Sequence, residues 1–228
     1  MKVLSTLAVS AAALFLAANG ASATPISGTF GVTIYQADCG TSCTISSPDE
    51  QAQAGNPLIT PSDEISSGTY TGALNWLSGG TGDGSLATFL ASAGGTYTGA
   101  TSNGSGPFEL SSAPFDLTTI FVITGNAGGT ISGTITHDDG VSLYDGPSYS
   151  NTVLNSATPT SADTSPYSGL NGNFEIVYAE DNGLPAELDM EVTNRTPVPE
   201  PLTLSVFGVG LAGAAAMRLR GRKKTNAA

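Results

Sequence analysis

From Thr24 to Pro197 the chain consists of short apolar alternations punctuated by Gly, Ser, Thr and Asn, and this pattern restricts it to strands. Phe30, Val32 and Ile34 alternate with Gly31, Thr33 and Tyr35, and Ile131 and Ile135 alternate with Thr130, Ser132, Thr134 and Thr136. Later, Phe174, Ile176 and Tyr178 form one face, and Leu188, Met190 and Val192 form another, with Asp189, Glu191 and Thr193 directed to water. A period of two buries alternate residues of a strand, and a disordered chain lacks such spacing. A denser run after Pro114, Phe115 to Ile123, predicts a central strand buried on both faces. Sequential strands joined by Gly- and Asn-rich turns predict a mainly β fold, an antiparallel β-sandwich. One stretch departs from it: Leu86, Phe89, Leu90 and Ala93, after Ser85 and before Gly94-Gly95, have the spacing of a short amphipathic helix. The hexapeptide Gly68-Thr69-Tyr70-Thr71-Gly72-Ala73 recurs as Gly95 to Ala100. Two copies do not make a repeat architecture and read as two similar strand edges.

Charge divides the chain as sharply as hydropathy does. Of 19 acidic residues, all but Glu200 lie between Thr24 and Pro197, where Arg195 is the sole basic residue. The other six basic residues lie in the two ends, so the net charge of −12 understates the acidity of the middle. An acidic, lysine-free surface repels nucleic acid and anionic lipid, and it repels an anionic polysaccharide unless divalent cations bridge the two. Solubility alone also accounts for such a surface.

The ends read as targeting segments. Lys2, the apolar run Val3 to Ala18, and Ala21-Ser22-Ala23 form a secretory signal peptide, residues 1–23, with cleavage by signal peptidase expected after Ala23. The weakly hydrophobic, Ala-rich run argues against an uncleaved anchor. At the other end Leu202 to Met217 forms an apolar span of about 24 Å as a helix, short against a hydrocarbon core of about 30 Å. Arg218, Arg220, Arg222, Lys223 and Lys224 follow within the basic tail 218–228. Positive charge stays on the cytoplasmic side, which places the middle of the chain outside.

Val198-Pro199-Glu200-Pro201, the span and the basic tail, in that order, resemble the PEP-CTERM sorting signal of bacterial exosortase substrates. The resemblance implies recognition at Pro199, Glu200 and Pro201 by a membrane-embedded cysteine transpeptidase, with 202–217 as transmembrane helix and 218–228 as stop. It also implies an exopolysaccharide or biofilm matrix as the destination. The two prolines lack N–H donors and bias the segment to an extended form that a protease can grip. The organisation expected is therefore a signal helix, a β-sandwich ectodomain over 24–193, a linker with the sorting motif over 194–201, and the membrane segment. Such a chain is exported through the inner membrane, held transiently by its C-terminal helix, and then found at the cell surface or outside it.

Cys39 and Cys43 enclose three residues, and in an exported protein an even cysteine count suggests a disulfide, here stabilising by about 2 kcal/mol for so small a loop. Metal binding is the rival, but the pair supplies two ligands and His137 is the only imidazole.

His137-Asp138-Asp139-Gly140 has two readings. Asp-Gly is a favoured hairpin dipeptide. Adjacent aspartates repel, however, unless a cation lies between them, and two carboxylates at a strand end are good ligands for calcium. The stretch 133–192, with Gly133 to Tyr144, Asn151 to Leu154 and Gly172 to Tyr178, is similar to the second half of the protective-antigen and flocculin type of carbohydrate-binding β-sandwich. That resemblance implies a calcium ion held by Asp138 and Asp139 that in turn grips sugar hydroxyls; some members use the same turn without binding anything. The first half of the chain does not match. No cofactor beyond calcium is implied.

Catalysis finds little support. A Ser/His/Asp arrangement must use His137, whose neighbour Asp138 is adjacent in sequence. A glycosidase needs two opposed carboxylates, which the many acids allow, but Trp76 is the only tryptophan and no motif supplies nucleophile and base together. The expectation is an exported, non-enzymatic envelope or matrix protein, structural or weakly glycan-binding. The alternative is a secreted hydrolase acting on extracellular polysaccharide.

Overall fold

The computed structural model describes residues 22–38, 43–104 and 106–196. The signal segment up to Ala21, Cys39, the sorting motif Val198 to Pro201, the membrane span and the basic tail lie outside the described residues. Among the described residues no helix is long and apolar enough to cross a membrane.

Among the described residues there are, besides two 3-10 turns, Pro48–Glu50 and Pro147–Tyr149, ten strands and one short α-helix, and every strand pairing is antiparallel. In chain order these are β1 (Thr24–Pro25), β2 (Ser27–Asp38), β3 (Glu64–Ala73), β4 (Asn75–Ser78), α1 (Leu86–Ala91) and β5 (Thr96–Tyr97). There follow β6 (Leu117–Asp138), β7 (Gly140–Asp145), β8 (Asn151–Ser156), β9 (Asp163–Glu180) and β10 (Ala186–Thr196). One path of paired strands runs β5-β3-β2-β6-β9-β7-β8, and β10 joins β6 with β1 and β4 on its far side.

The sandwich arises because β6 and β9 each serve two layers. The first half of β6 pairs with β2, while its second half, Thr130 to Asp138, pairs with β10. The last part of β9 pairs with the first half of β6 and with β7, and its beginning pairs with the second half of β6. The register breaks between Asn126 and Thr130, where Gly128 adopts φ 64°, a left-handed conformation open to glycine at little steric cost. The sequence separated this region into two strands; it is one 22-residue strand bent at its glycines.

Apolar faces of the two layers meet in the main core. Trp76 of β4 lies edge-on to Tyr70 at 4.9 Å and to Phe89 of α1 at 5.6 Å, and it reaches Phe121 of β6 at 6.0 Å. Offset and T-shaped pairs of this kind add to area burial. Leu86, Phe89 and Leu90 are the buried face of α1, as the spacing predicts, although the Ser85 side chain makes no capping hydrogen bond. The expected faces Phe30/Val32/Ile34, Phe174/Ile176/Tyr178 and Leu188/Met190/Val192 are all buried. A second cluster, Ala52, Leu58, Ile120, Val177 and Ala179, covers the outer side of the β6–β9 pair with the segment after β2. The end of β9 is therefore buried on both faces.

Three details differ from the sequence reading. Phe115 and Asp116 precede β6, in a turn closed by Asp116 N–H to the Ser112 carbonyl at 3.0 Å. Asp189 is half-buried, with one buried carboxylate oxygen lacking a hydrogen-bond partner, and β10 continues through Thr196, past the start of the expected linker. The two hexapeptides lie on β3 and about β5 and pair with each other, Tyr70 opposite Tyr97 and Thr71 opposite Thr96. A Cβ on Gly68 would stand 2.6 Å from the Gly99 nitrogen, so the repeated glycines let the two backbones approach.

Candidate functional site

Asp138 ends β6 in one layer and Gly140 begins β7 in the other, so Asp139 is the residue at which the chain crosses between layers. The hairpin expected here does not form: β6 pairs with β2, β9 and β10, and β7 pairs with β8 and β9. The Asp138–Asp139 peptide is cis. Both aspartates are about 5–7 % exposed and stand at one pole of the sandwich, lining a cleft of about 250 Å³. Thr160 and Ser161 from the loop before β9, and Asn182 and Gly183 from the loop after it, complete the polar wall. Ile45, Phe115, Leu184 and two prolines form the remainder.

The two carboxylates are held by main-chain donors. Asp139 Oδ2 accepts the Asp181 N–H at 2.9 Å, and the Asn182 N–H also favours its charged form. The Ala162 N–H does the same for Asp138. These donors do not compensate for burial. Desolvation, with Asp138 and Glu50 nearby, pushes Asp139 up to about 7, and desolvation and the facing Glu187 raise Asp138.

Beneath this pair lies an acidic layer that sequence reasoning missed. Glu50, Glu180 and Asp181 are fully buried. Glu50 accepts the Thr118 hydroxyl at 2.6 Å, and Glu180 accepts the Ser111 hydroxyl at 2.9 Å. The Tyr178 hydroxyl touches both the Asp138 carbonyl and, at 2.7 Å, Glu180 Oε2. One phenolic proton cannot serve two acceptors, and a carbonyl can only accept. A protonated Glu180 resolves this, and burial beside Asp139 raises its pKa well above the carboxylate range. Asp181 is raised likewise, first by desolvation and then by Asp139 and Glu50, and its buried oxygens receive no conventional donor. It faces the Glu50 carboxyl, with which it can share a proton.

Arg195, the only Lys or Arg between Thr24 and Pro197, is at the opposite pole, where it donates to the Ala127 carbonyl at 2.7 Å. With no Lys or Arg of the described residues beside it, the acidic pole can take its neutralising charge from protons or from a cation in solution. Calcium fits this donor set, since it takes six to eight hard oxygens and accepts carbonyls, hydroxyls and waters beside carboxylates. Asp138 and Asp139, with oxygens of Thr160, Ser161 or Asn182, would hold it. Among the described residues no group of three or more His, Cys, Asp or Glu side chains could hold a metal ion, so an all-carboxylate or zinc-type centre is not formed.

His137 points inward. Its ring is fully buried, with Nδ1 at 2.6 Å from the Asp139 carbonyl and Nε2 at 3.3 Å from Ser165 Oγ. Neither His137 nor Ser165 lines the cleft, so this Ser–His contact fixes the crossover and is not presented to a substrate. Trp76 is likewise in the core. Cys43 is disulfide-bonded; Cys39 lies outside the described residues.

No protein-family model matches the sequence, and no curated protein matches it. Solved structures similar to this fold include two PA14 domains. A PA14 sugar-binding domain from an RTX adhesin is 22% identical with a TM-score of 0.49, over 75% of this chain and 99% of that one. The PA14 domain of the MpAFP antifreeze protein is 19% identical with a TM-score of 0.45, over 75% of this chain and 84% of that one. At these levels the likeness leaves ligand and mechanism to the residues themselves.

Proposed function

We propose that the acidic pole is a calcium-dependent carbohydrate-binding site on an exported, non-enzymatic envelope or matrix protein. The observation that carries this reading is the Asp138–Asp139 pair, held side by side by main-chain donors in an open cleft that no Lys or Arg side chain lines. A calcium ion there leaves coordination positions that vicinal sugar hydroxyls can fill. The inward-facing His137 argues against the hydrolase alternative.

Sorting by exosortase, after signal peptidase removes residues 1–23, is the second part of the proposal and rests on Val198 to Pro201 and the segments around them. The fold is compatible with it: Thr24 pairs with Val192, which puts both ends of the described domain at the pole away from the cleft. A tether at Thr196 would thus leave the acidic pole free to meet exopolysaccharide.

The purified protein is passed over immobilised matrix polysaccharide in calcium and again in chelator. Retention in calcium, abolished by chelator and by Asp138→Asn with Asp139→Asn, is expected. Equal flow-through in both conditions contradicts the proposal, and release of reducing ends would favour the hydrolase. For sorting, Ala at Pro199, Glu200 and Pro201 is expected to accumulate a membrane-bound precursor; unchanged processing in cells opposes it.

A further inference from the structure

Beside the acidic cleft lies a second depression, of about 410 Å³, lined by Cys43, Thr44, Ile45, Pro114, Phe115 and Asp116. Ile45 and Phe115 belong to both, so the two form one continuous groove with an acidic end and an apolar end. Ile45 is 49% exposed, one of two large hydrophobic side chains exposed among the described residues.

That exposure does not come from a slack loop. The Ser47 N–H donates to the Thr44 carbonyl at 2.7 Å and the Thr44 N–H to Ser47 Oγ at 2.9 Å. Gln51 Nε2 donates to the Ile45 carbonyl at 2.9 Å, so the tip carrying Ile45 is tied at both sides. Phe115 is held across from it with φ 67°, a left-handed conformation that is an outlier for a bulky side chain. A tied turn and a strained aromatic together keep two apolar side chains at the edge of the acidic cleft. Conformational strain of this sort collects where a surface has a ligand to meet.

We propose that Ile45 and Phe115 form an apolar subsite that selects saccharides bearing a methyl group, either the C6 methyl of a deoxy sugar or the methyl of an acetyl substituent. This rests on the calcium-dependent reading of the acidic end. Hydroxyls engaged by the cation fix one edge of the sugar ring, and a substituent projecting from the ring then reaches the apolar shelf. A free hydroxyl placed there would lose water without gaining a partner, whereas a methyl group gains by leaving water. Specificity follows from the difference between the two.

The test titrates the purified protein, in calcium, with sugars paired at that one group: L-fucose against L-galactose, L-rhamnose against L-mannose, and N-acetylglucosamine against N-formylglucosamine. At least one methyl-bearing member is expected to bind about fourfold tighter than its partner, the effect of one buried methyl-sized group. The deoxy and acetyl pairs tell which source of the methyl the shelf reads. Ile45→Ser, a change at an exposed position, should erase the preference within the pairs. Equal binding within every pair, or a preference that survives Ile45→Ser, overturns the subsite while the calcium site stands. Absence of calcium-dependent binding to any of the sugars overturns both.

Discussion

The two poles of this sandwich handle charge in opposite ways. At about 3.3 Å per residue, the stretch of β10 from Glu187, opposite Asp138, to Arg195, opposite Ile131, spans roughly 26 Å. At the Arg195 pole the domain's single Lys or Arg side chain finds a carbonyl, and the Thr24 and Thr196 ends of the described chain lie nearby. At the other pole Glu50, Asp138, Asp139, Glu180 and Asp181 come together with no Lys or Arg among them. A fold held by apolar packing alone needs no such cluster, and buried charge that is unpaired is destabilising. The acidic pole thus has the character of a site and the Arg195 pole that of a structural end.

Breaking the acidic pole directly should have the largest effect. Asp138→Asn with Asp139→Asn is expected to lower calcium affinity at least about 100-fold, since the site then lacks charged ligands. The rise in melting temperature on adding calcium should vanish with it, as followed by differential scanning calorimetry.

The acid layer sharpens the contrast through pH. Asp139, Glu180 and Asp181 have folded-state pKa values raised above those of an unfolded chain. The folded state therefore holds protons more tightly, and their stabilisation is full below pH about 4 and lost as pH rises through the folded values. For Asp139 that window runs from about 4 to about 7. In chelator, the melting temperature should fall by several degrees between pH 5 and pH 8, and calcium at pH 8 should restore most of the loss. A flat profile over that range would mean the layer does not hold its protons.

Glu180→Gln tests one member of that layer. The amide retains a donor for the Tyr178 oxygen and carries no charge, so stability at pH 5 should change by no more than about 1 kcal/mol by urea unfolding, and the loss at pH 8 should shrink. Arg195→Ala, at the other pole, should have the smallest effect, about 1 kcal/mol or less, with the calcium titration unchanged.

Much of the fold was legible because period-two alternation depends on near neighbours: the faces of β2, of the end of β9 and of β10 all fell where the pattern put them. The bend at Gly128 and the sharing of β6 between layers were not, because a break rich in glycine looks the same within a strand as between two. The candidate site was legible only as an adjacent acidic pair. Reading Asp138-Asp139-Gly140 as a hairpin turn failed since strand partners are chosen by distant residues, here Ala179 opposite Gly140 and Glu187 opposite Asp138. Glu50 ends a short 3-10 turn far upstream of Asp181, and acids in short Pro-led turns ordinarily read as solvent-exposed. Phe115 was taken into a strand because its apolar character continues that of β6; its left-handed backbone and place on the groove carry no local signature.

The central claim is that a cation completes the acidic pole, and calorimetric titration of the purified protein with calcium at pH 7.5 tests it most directly. The account predicts saturable binding of one calcium ion per chain, abolished when Asp138 and Asp139 are Asn. Absence of a binding isotherm, or an isotherm unchanged by those two substitutions, would contradict it.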